Sequence, residues 1–215
     1  MLRKNPSGHT PVVSTKAYID PTAVICGRVI IHDYVYVGPY AVIRADELNA
    51  DGDMDPIIIH SHSNIQDGVV IHSKSGAPVT IGSGTSIAHR AIVHGPCQVD
   101  ERVFIGFNSV LFNCHIQTGC VIRYNAVVDG VTLPENTYIP STERVGPDSD
   151  LKLYQLSGDS WGQSTIIRCN ESGEVPAASW DHNITVQENI RSPKSDIRIL
   201  ELQTLSSQYK IAVLC

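Results

Sequence analysis

The stretch VTIGSGTSIAHRAIVHGPCQVDERVFIGFNSVL, residues 79 to 111, sets an aliphatic side chain at every sixth position: Ile81, Ile87, Val93, Val99, Ile105 and Leu111. The pattern extends in both directions. Upstream stand Ile19, Ile25, Ile31, Val37 and Ile43, then, after an interruption, Ile59, Ile65 and Ile71; downstream come Ile116, Ile122 and Val128, and after them Leu133 and Ile139. No helical period equals six. A hexapeptide repeat of inward aliphatics marks a parallel β-helix, in which each repeat is one short face and stacked coils bury a continuous core. Three hexapeptides close one triangular coil, and the small residues of IGSGTS and FIGFNS suit its tight corners. An ordinary β-sandwich would instead need hairpin turn signals and strands of varied length. The reading is therefore a mainly β fold, a β-helix of hexapeptide repeats.

Counting faces turns the repeat into geometry. With Ile19 on face one, Ile25 on face two and Ile31 on face three, and with residues 49 to 58 and 77 to 80 treated as loops at corners, Ile43, Ile71, Val93 and Leu111 share face two in successive coils. The residue after each inward aliphatic points outward, so Arg44, His72, His94 and Phe112 form one outward column. Rungs of a sheet lie about 4.8 Å apart, close enough for His72 and His94 to chelate one ion. Two stacked imidazoles would repel if both were charged, and a metal keeps both neutral. His89 lies two positions after Ile87, on face one, above Asp67. It points elsewhere, so it can join the site only from a neighbouring prism across a three-fold axis. Three imidazoles and one open position suit a catalytic divalent ion: zinc (Zn2+) by default, with Fe2+ or Co2+ as alternatives at nitrogen sites. His9, His32, His60, His62, His115 and His182 read as hydrogen-bonded structural histidines.

Composition bounds the partners. A chain of 215 residues with net charge -6 and no basic cluster argues against nucleic acid and against an anionic membrane surface. No secretory h-region and no apolar stretch of about 20 residues is visible, and the expectation is a cytoplasmic protein outside the membrane. The six cysteines form no CxxC pair and read mostly as small buried hydrophobes.

IRADE (43 to 47), NIQDGVVIH (64 to 72), SIAHRAIVHGP (86 to 96) and FIGFNSVLF (104 to 112) resemble, in order and spacing, the motifs of the γ-class carbonic anhydrases. The likeness spans roughly residues 10 to 142 and includes the closing VTLPENTYIPS. It implies a left-handed β-helix, a homotrimer with its metal between subunits, and CO2 and bicarbonate as substrates. It also implies His72 and His94 from one protomer and His89 from the next as the metal ligands. By the same resemblance Gln66 orients the attacking oxygen toward CO2, Arg44 and Asp67 form an interface ion pair, and Asp46 belongs to their network. Phe112, with Ala88 and Val93 nearby, would give CO2 an apolar wall. Glu47 is the candidate proton shuttle at the head of the acidic loop DELNADGDMDP, where Asp51, Asp53 and Asp55 follow. The chain departs from the best-known family pattern after His72: SKSGAPV stands where a longer loop carries a relay glutamate, and Lys74 is ordinarily protonated at neutral pH. Relatives in carbon-concentrating shells and respiratory complexes suggest the alternative of a structural trimer that keeps the metal but turns over little within a larger assembly; a third reading, a hexapeptide acyltransferase, needs a histidine base and a coenzyme A groove and fits the three-ligand arrangement less well.

The chain divides into a β-helix domain over residues 1 to 142, carrying the site, and a linker with a C-terminal extension over 143 to 215. Residues 196 to 214 carry Ile199, Leu202, Leu205 and Tyr209 at helical spacing, which suggests a helix packed along the prism. Asn170 and Asn183 sit in glycosylation-type triplets, read as chance in a chain without a secretory signal.

Overall fold

The computed structural model describes residues 1 to 155. Every named strand pair is parallel, and the chain winds through about seven turns of a β-helix. Face one is a sheet of seven two-residue strands, stacked so that Ile19, Val37, Ile65, Ile87, Ile105, Ile122 and Ile139 form one inward column. On face two the column is Ile25, Ile43, Ile71, Val93, Leu111, Val128 and Val145. Face three stacks Val13, Ile31, Ile59, Ile81, Val99, Ile116 and Leu133. Apart from the terminal Val13 and Ile19, all of these side chains are buried. The three columns meet as a single core, which is why the six-residue period had to hold through the chain.

Two boundaries differ from expectation. Residues 57 to 58 and 79 to 80 are strand, not loop: Ile57–Ile59 pairs with Val29–Ile31 on one side and Val79–Ile81 on the other. The insertions are thus shorter than the gap in the aliphatic series suggested, because face three resumes two residues before its inward isoleucine. The stack also runs past residue 142. Arg144–Val145 pairs with Val127–Val128, and a 3-10 turn over Leu151–Tyr154 lays Tyr154 against the core. The helix expected near 196 to 214 lies outside the described residues, as do Asn170, Asn183 and His182.

The corners are left-handed. Tyr40, Gly68, Arg90, Asn108, Asn125 and Thr142 turn the chain from face one to face two, each with positive φ and each three residues after its face-one aliphatic. Asparagine tolerates that conformation, whereas Tyr40, Arg90 and Thr142 pay about 1–2 kcal/mol for it and are held there by the rungs above and below. Corner backbone hydrogen bonds such as Arg90 N–H to the Asp67 carbonyl (2.9 Å) supply that hold.

Gly95 matters for a different reason. It follows His94 where the strand Ile92–Val99 bends from face two to face three, and a Cβ there would lie 2.0 Å from the backbone carbonyl oxygen of Ala77. Gly95→Ala should therefore destabilise the protein by about 3 kcal/mol, the upper end for overpacking, because the obstacle is main chain and cannot swing aside. Urea unfolding midpoints would check this, and an unchanged midpoint would show that the corner has slack.

Candidate metal centre

The outward column of face two stands as the face count places it: Arg44 is in register with His72, His72 with His94, and His94 with Phe112. His72 Nδ1 and His94 Nε2 face one another at 3.2 Å. The other nitrogen of His94, Nδ1, lies 2.9 Å from the Gly95 carbonyl oxygen. A carbonyl can only accept, so His94 Nδ1 donates, and in the neutral ring Nε2 is left with a lone pair directed at His72. This fixes the tautomer that an outer partner imposes on a ligating histidine. Two nitrogens bound to one tetrahedral zinc at its usual bond length are about 3.4 Å apart, so the observed separation fits a shared ion.

The far nitrogen of His72 sits among charges. Arg44 Nη2 approaches Nε2 at 3.4 Å, Asp46 Oδ1 at 3.4 Å and Glu47 Oε1 at 3.5 Å. Asp46 Oδ1 makes no hydrogen bond despite this proximity, so its contact with His72 is electrostatic only. Arg44 Nη1 also lies 3.5 Å from Asp46 Oδ2. Burial, and then the charge of Arg44, lower the pKa of His72 below the usual imidazole value, outweighing the opposing pull of Glu47 and Asp46. His72 is accordingly neutral at pH 7, the form that can donate a lone pair to an ion.

A second group occupies face one. His89 Nδ1 lies 3.7 Å from Asp67 Oδ2, and its ring leans on Phe107 at 5.3 Å between centroids. Gln66, the outward neighbour of Ile65, is nevertheless buried, 6 % exposed. Gln66 Oε1 and His89 Nε2 are both buried with no hydrogen-bond partner. Asp67 fits because residue 38 is glycine: a Cβ at Gly38 would stand 2.7 Å from Asp67 Oδ1.

The structure therefore brings Arg44, Asp46, Glu47, His72, His94 and Phe112 together on one face, and Gln66, Asp67 and His89 on another. Within the protomer Arg44 pairs with Asp46 and Asp67 with His89, so the expected Arg44 to Asp67 pair is not made inside one chain. Among the described residues, no three His, Cys, Asp or Glu side chains converge on one point. Phe112 is exposed (43 %) and packs its ring 5.3 Å from that of His94. Val93 and Ala88 are buried, Val93 in the prism interior, so neither can line an outer apolar wall. Glu47 ends the strand Val42–Glu47, more than half exposed, where the acidic loop begins. In that loop Asp55 accepts a hydrogen bond from the Gly76 amide, Asp53 lies 4.0 Å from Arg28, and Met54 is buried as an anchor. These contacts give Asp53 and Asp55 structural work.

Of the other described histidines, His9 and His115 are hydrogen-bonded as expected, whereas His32, His60 and His62 are held by ring stacking. His115 Nε2 bonds Asp100 at 2.9 Å, His9 bonds Asn5 at 3.0 Å, His32 stacks on His60, and His62 on Tyr34. The four described cysteines, Cys26, Cys97, Cys114 and Cys120, are buried free thiols. Among the described residues no helix is long and apolar enough to cross a membrane. Spacing did not reveal the contact between the Cys97 and Cys114 sulfurs, although both cysteines lie two residues before a face-three aliphatic.

Comparison with known proteins agrees with the fold. A family model for the bacterial transferase hexapeptide (six repeats) matches residues 10–45. An X-ray structure of a Bacillus cereus protein, provisionally described as an acetyltransferase, superposes with a TM-score of 0.59 at 24 % identity. It covers 64 % of this chain and 76 % of that one, and at this identity the likeness concerns the fold alone. Fold and repeat thus define a hexapeptide-repeat β-helix protein. Carbonic anhydrase of Methanosarcina thermophila is 36 % identical over 175 residues, covering 72 % of this chain and 68 % of that protein. With its motifs in the order and spacing given above, the chain belongs to the γ-class carbonic anhydrase family. The carboxysome assembly protein CcmM of a Nostoc species is 35 % identical over 139 residues, which is 60 % of this chain and 24 % of that larger protein.

Proposed function

We propose that the protein is a metal-dependent carbonic anhydrase, converting CO2 and water to bicarbonate and a proton, and that it works as a homotrimer with three identical sites between subunits. One observation carries this reading: the residues expected around the metal divide into two groups on two different faces of one prism. His72 and His94 lie on face two, Gln66 and His89 on face one. A three-fold arrangement that sets face two of one copy against face one of the next joins them. Gln66 Oε1 and His89 Nε2 are covered and unpartnered within one protomer, so both side chains have to turn outward to meet that neighbouring face.

His72, His94 and the neighbouring copy's equivalent of His89 would hold the ion, with zinc, ferrous iron and cobalt all suited to imidazole nitrogen. A bound divalent ion supplies Lewis acidity, which makes a water molecule nucleophilic at neutral pH. The chain's own residues do the rest. The Gly95 carbonyl fixes the His94 ring, while burial and Arg44 keep His72 neutral. The Gln66 amide, a neutral group with a free acceptor, orients the reacting oxygen. Phe112 offers CO2 an apolar surface beside the histidines. Glu47 accepts the released proton at its carboxylate and, being exposed, passes it to solvent.

Stopped-flow CO2 hydration by anaerobically purified protein, loaded separately with zinc and ferrous iron, tests this reading. Metal-dependent turnover is expected with at least one of them. A metal-loaded trimer without hydration would favour a second reading, a structural component of a larger assembly, which the likeness to the Nostoc carboxysome assembly protein supports.

A further inference from the structure

The rungs that carry His94 and Phe112 continue onto face three, where Cys97 and Cys114 stand in register. Their sulfurs are 3.3 Å apart. Both side chains are buried, yet 4 % and 7 % of their surface remains open, and both border a groove of about 430 Å3 lined also by Pro96, Gln98, His115 and Thr132. A small oxidant can enter such a groove, while a bulky alkylating reagent has little thiol surface to attack.

We propose that Cys97 and Cys114 are a redox-active dithiol, which a hydroperoxide converts to a disulfide stapling two successive rungs. The site lies apart from the histidines and does not depend on the function proposed above. The geometry allows the bond with a small shift. Neighbouring strands set their Cα atoms about 4.8 Å apart, inside the window a disulfide spans, and the sulfurs need to close by only about 1.2 Å.

The hydrogen bond to Cys97, and then burial, push the Cys114 thiol far above the ordinary range. Either sulfur can open the reaction and the same disulfide results; with Cys97 first, the other stands 3.3 Å away to close it. The Cys97 sulfur takes one oxygen from the peroxide, giving a sulfenic acid and releasing water, or an alcohol if the peroxide is organic. Cys114 then displaces the sulfenic oxygen as a second water, the thiol protons leaving with it, and the sulfur–sulfur bond forms. Two thiols are oxidised and one peroxide is reduced.

The test uses the full, reduced chain treated with equimolar hydrogen peroxide, quenched with catalase, denatured, alkylated with N-ethylmaleimide and digested for mass spectrometry. The expected result is a linked peptide joining Cys97 to Cys114, loss of both alkylated forms, and their return after dithiothreitol. In Cys97→Ala the Cys114 peptide should stay fully alkylatable. Both thiols still alkylated after peroxide, both over-oxidised without a link, or either one bridged to a different cysteine would overturn the proposal. The unsubstituted chain decides the matter even if the variant does not fold.

Discussion

Replacing His94 with alanine is expected to strip the purified protein of its metal and to lower kcat/KM for CO2 hydration by more than about 100-fold. Loss of an outer partner of a metal ligand commonly costs 10–100-fold, so removal of a ligand must exceed that range. The substitution leaves His72 facing empty space where Nε2 stood 3.2 Å away, and each site keeps only two of its three imidazoles, His72 and the neighbouring copy's equivalent of His89. His94 points outward from its strand, between an inward Val93 and the bend at Gly95, so the core columns are untouched. Circular dichroism should stay that of the parent while metal content, read by elemental analysis, collapses. Full metal content with unchanged turnover would place the ion elsewhere and refute the assignment of this face.

The second large effect is on stability. Ile71→Ala should cost about 4 kcal/mol, within the 2–5 kcal/mol range for truncating a buried isoleucine. Ile71 is 0 % exposed and is held between Ile43 on one rung and Val93 on the other. Both neighbours belong to strands bonded at a fixed spacing, so the walls of the new cavity cannot close in, and that rigidity argues for the upper half of the range. Urea unfolding at constant protein concentration would measure it, since any oligomer makes the midpoint depend on concentration. A loss below about 1 kcal/mol would mean that the stack relaxes around the gap, contrary to the close packing of its columns.

Much of this architecture was legible because the fold is periodic. Once Ile43, Ile71 and Val93 had a common phase, the alignment of Arg44, His72, His94 and Phe112 followed by adding one position, and the structure reproduces it pair by pair. His89 above Asp67 followed in the same way. Phase is lost where residues are inserted, which is why Ile57, Ile58, Val79 and Thr80 were assigned to loops although they are strand. Alternation also carries no information about lateral burial. Gln66 occupies an outward position and should be wet, yet it is covered. The hydrogen bond from His94 to the Gly95 carbonyl depends on the bend at Gly95–Pro96, which the count of inward aliphatics passes over, and the left-handed corners at Tyr40 and Arg90 are enforced by neighbouring rungs against those residues' own preference.

The acidic segment between Val42–Glu47 and Ile57–Ile59 leaves the prism at a corner, and the rungs on either side still match: Ile43 meets Ile71 and Ile31 meets Ile59. A scaffold of this kind separates the part of the chain that must keep count from the part that is free to change. Residues can be added or removed at a corner without sliding one coil past another, so the histidine column keeps its alignment while the chemistry at its rim is rewritten. The acidic segment and SKSGAPV are in this sense equipment mounted on a fixed frame, and either can change without the coils having to fold anew.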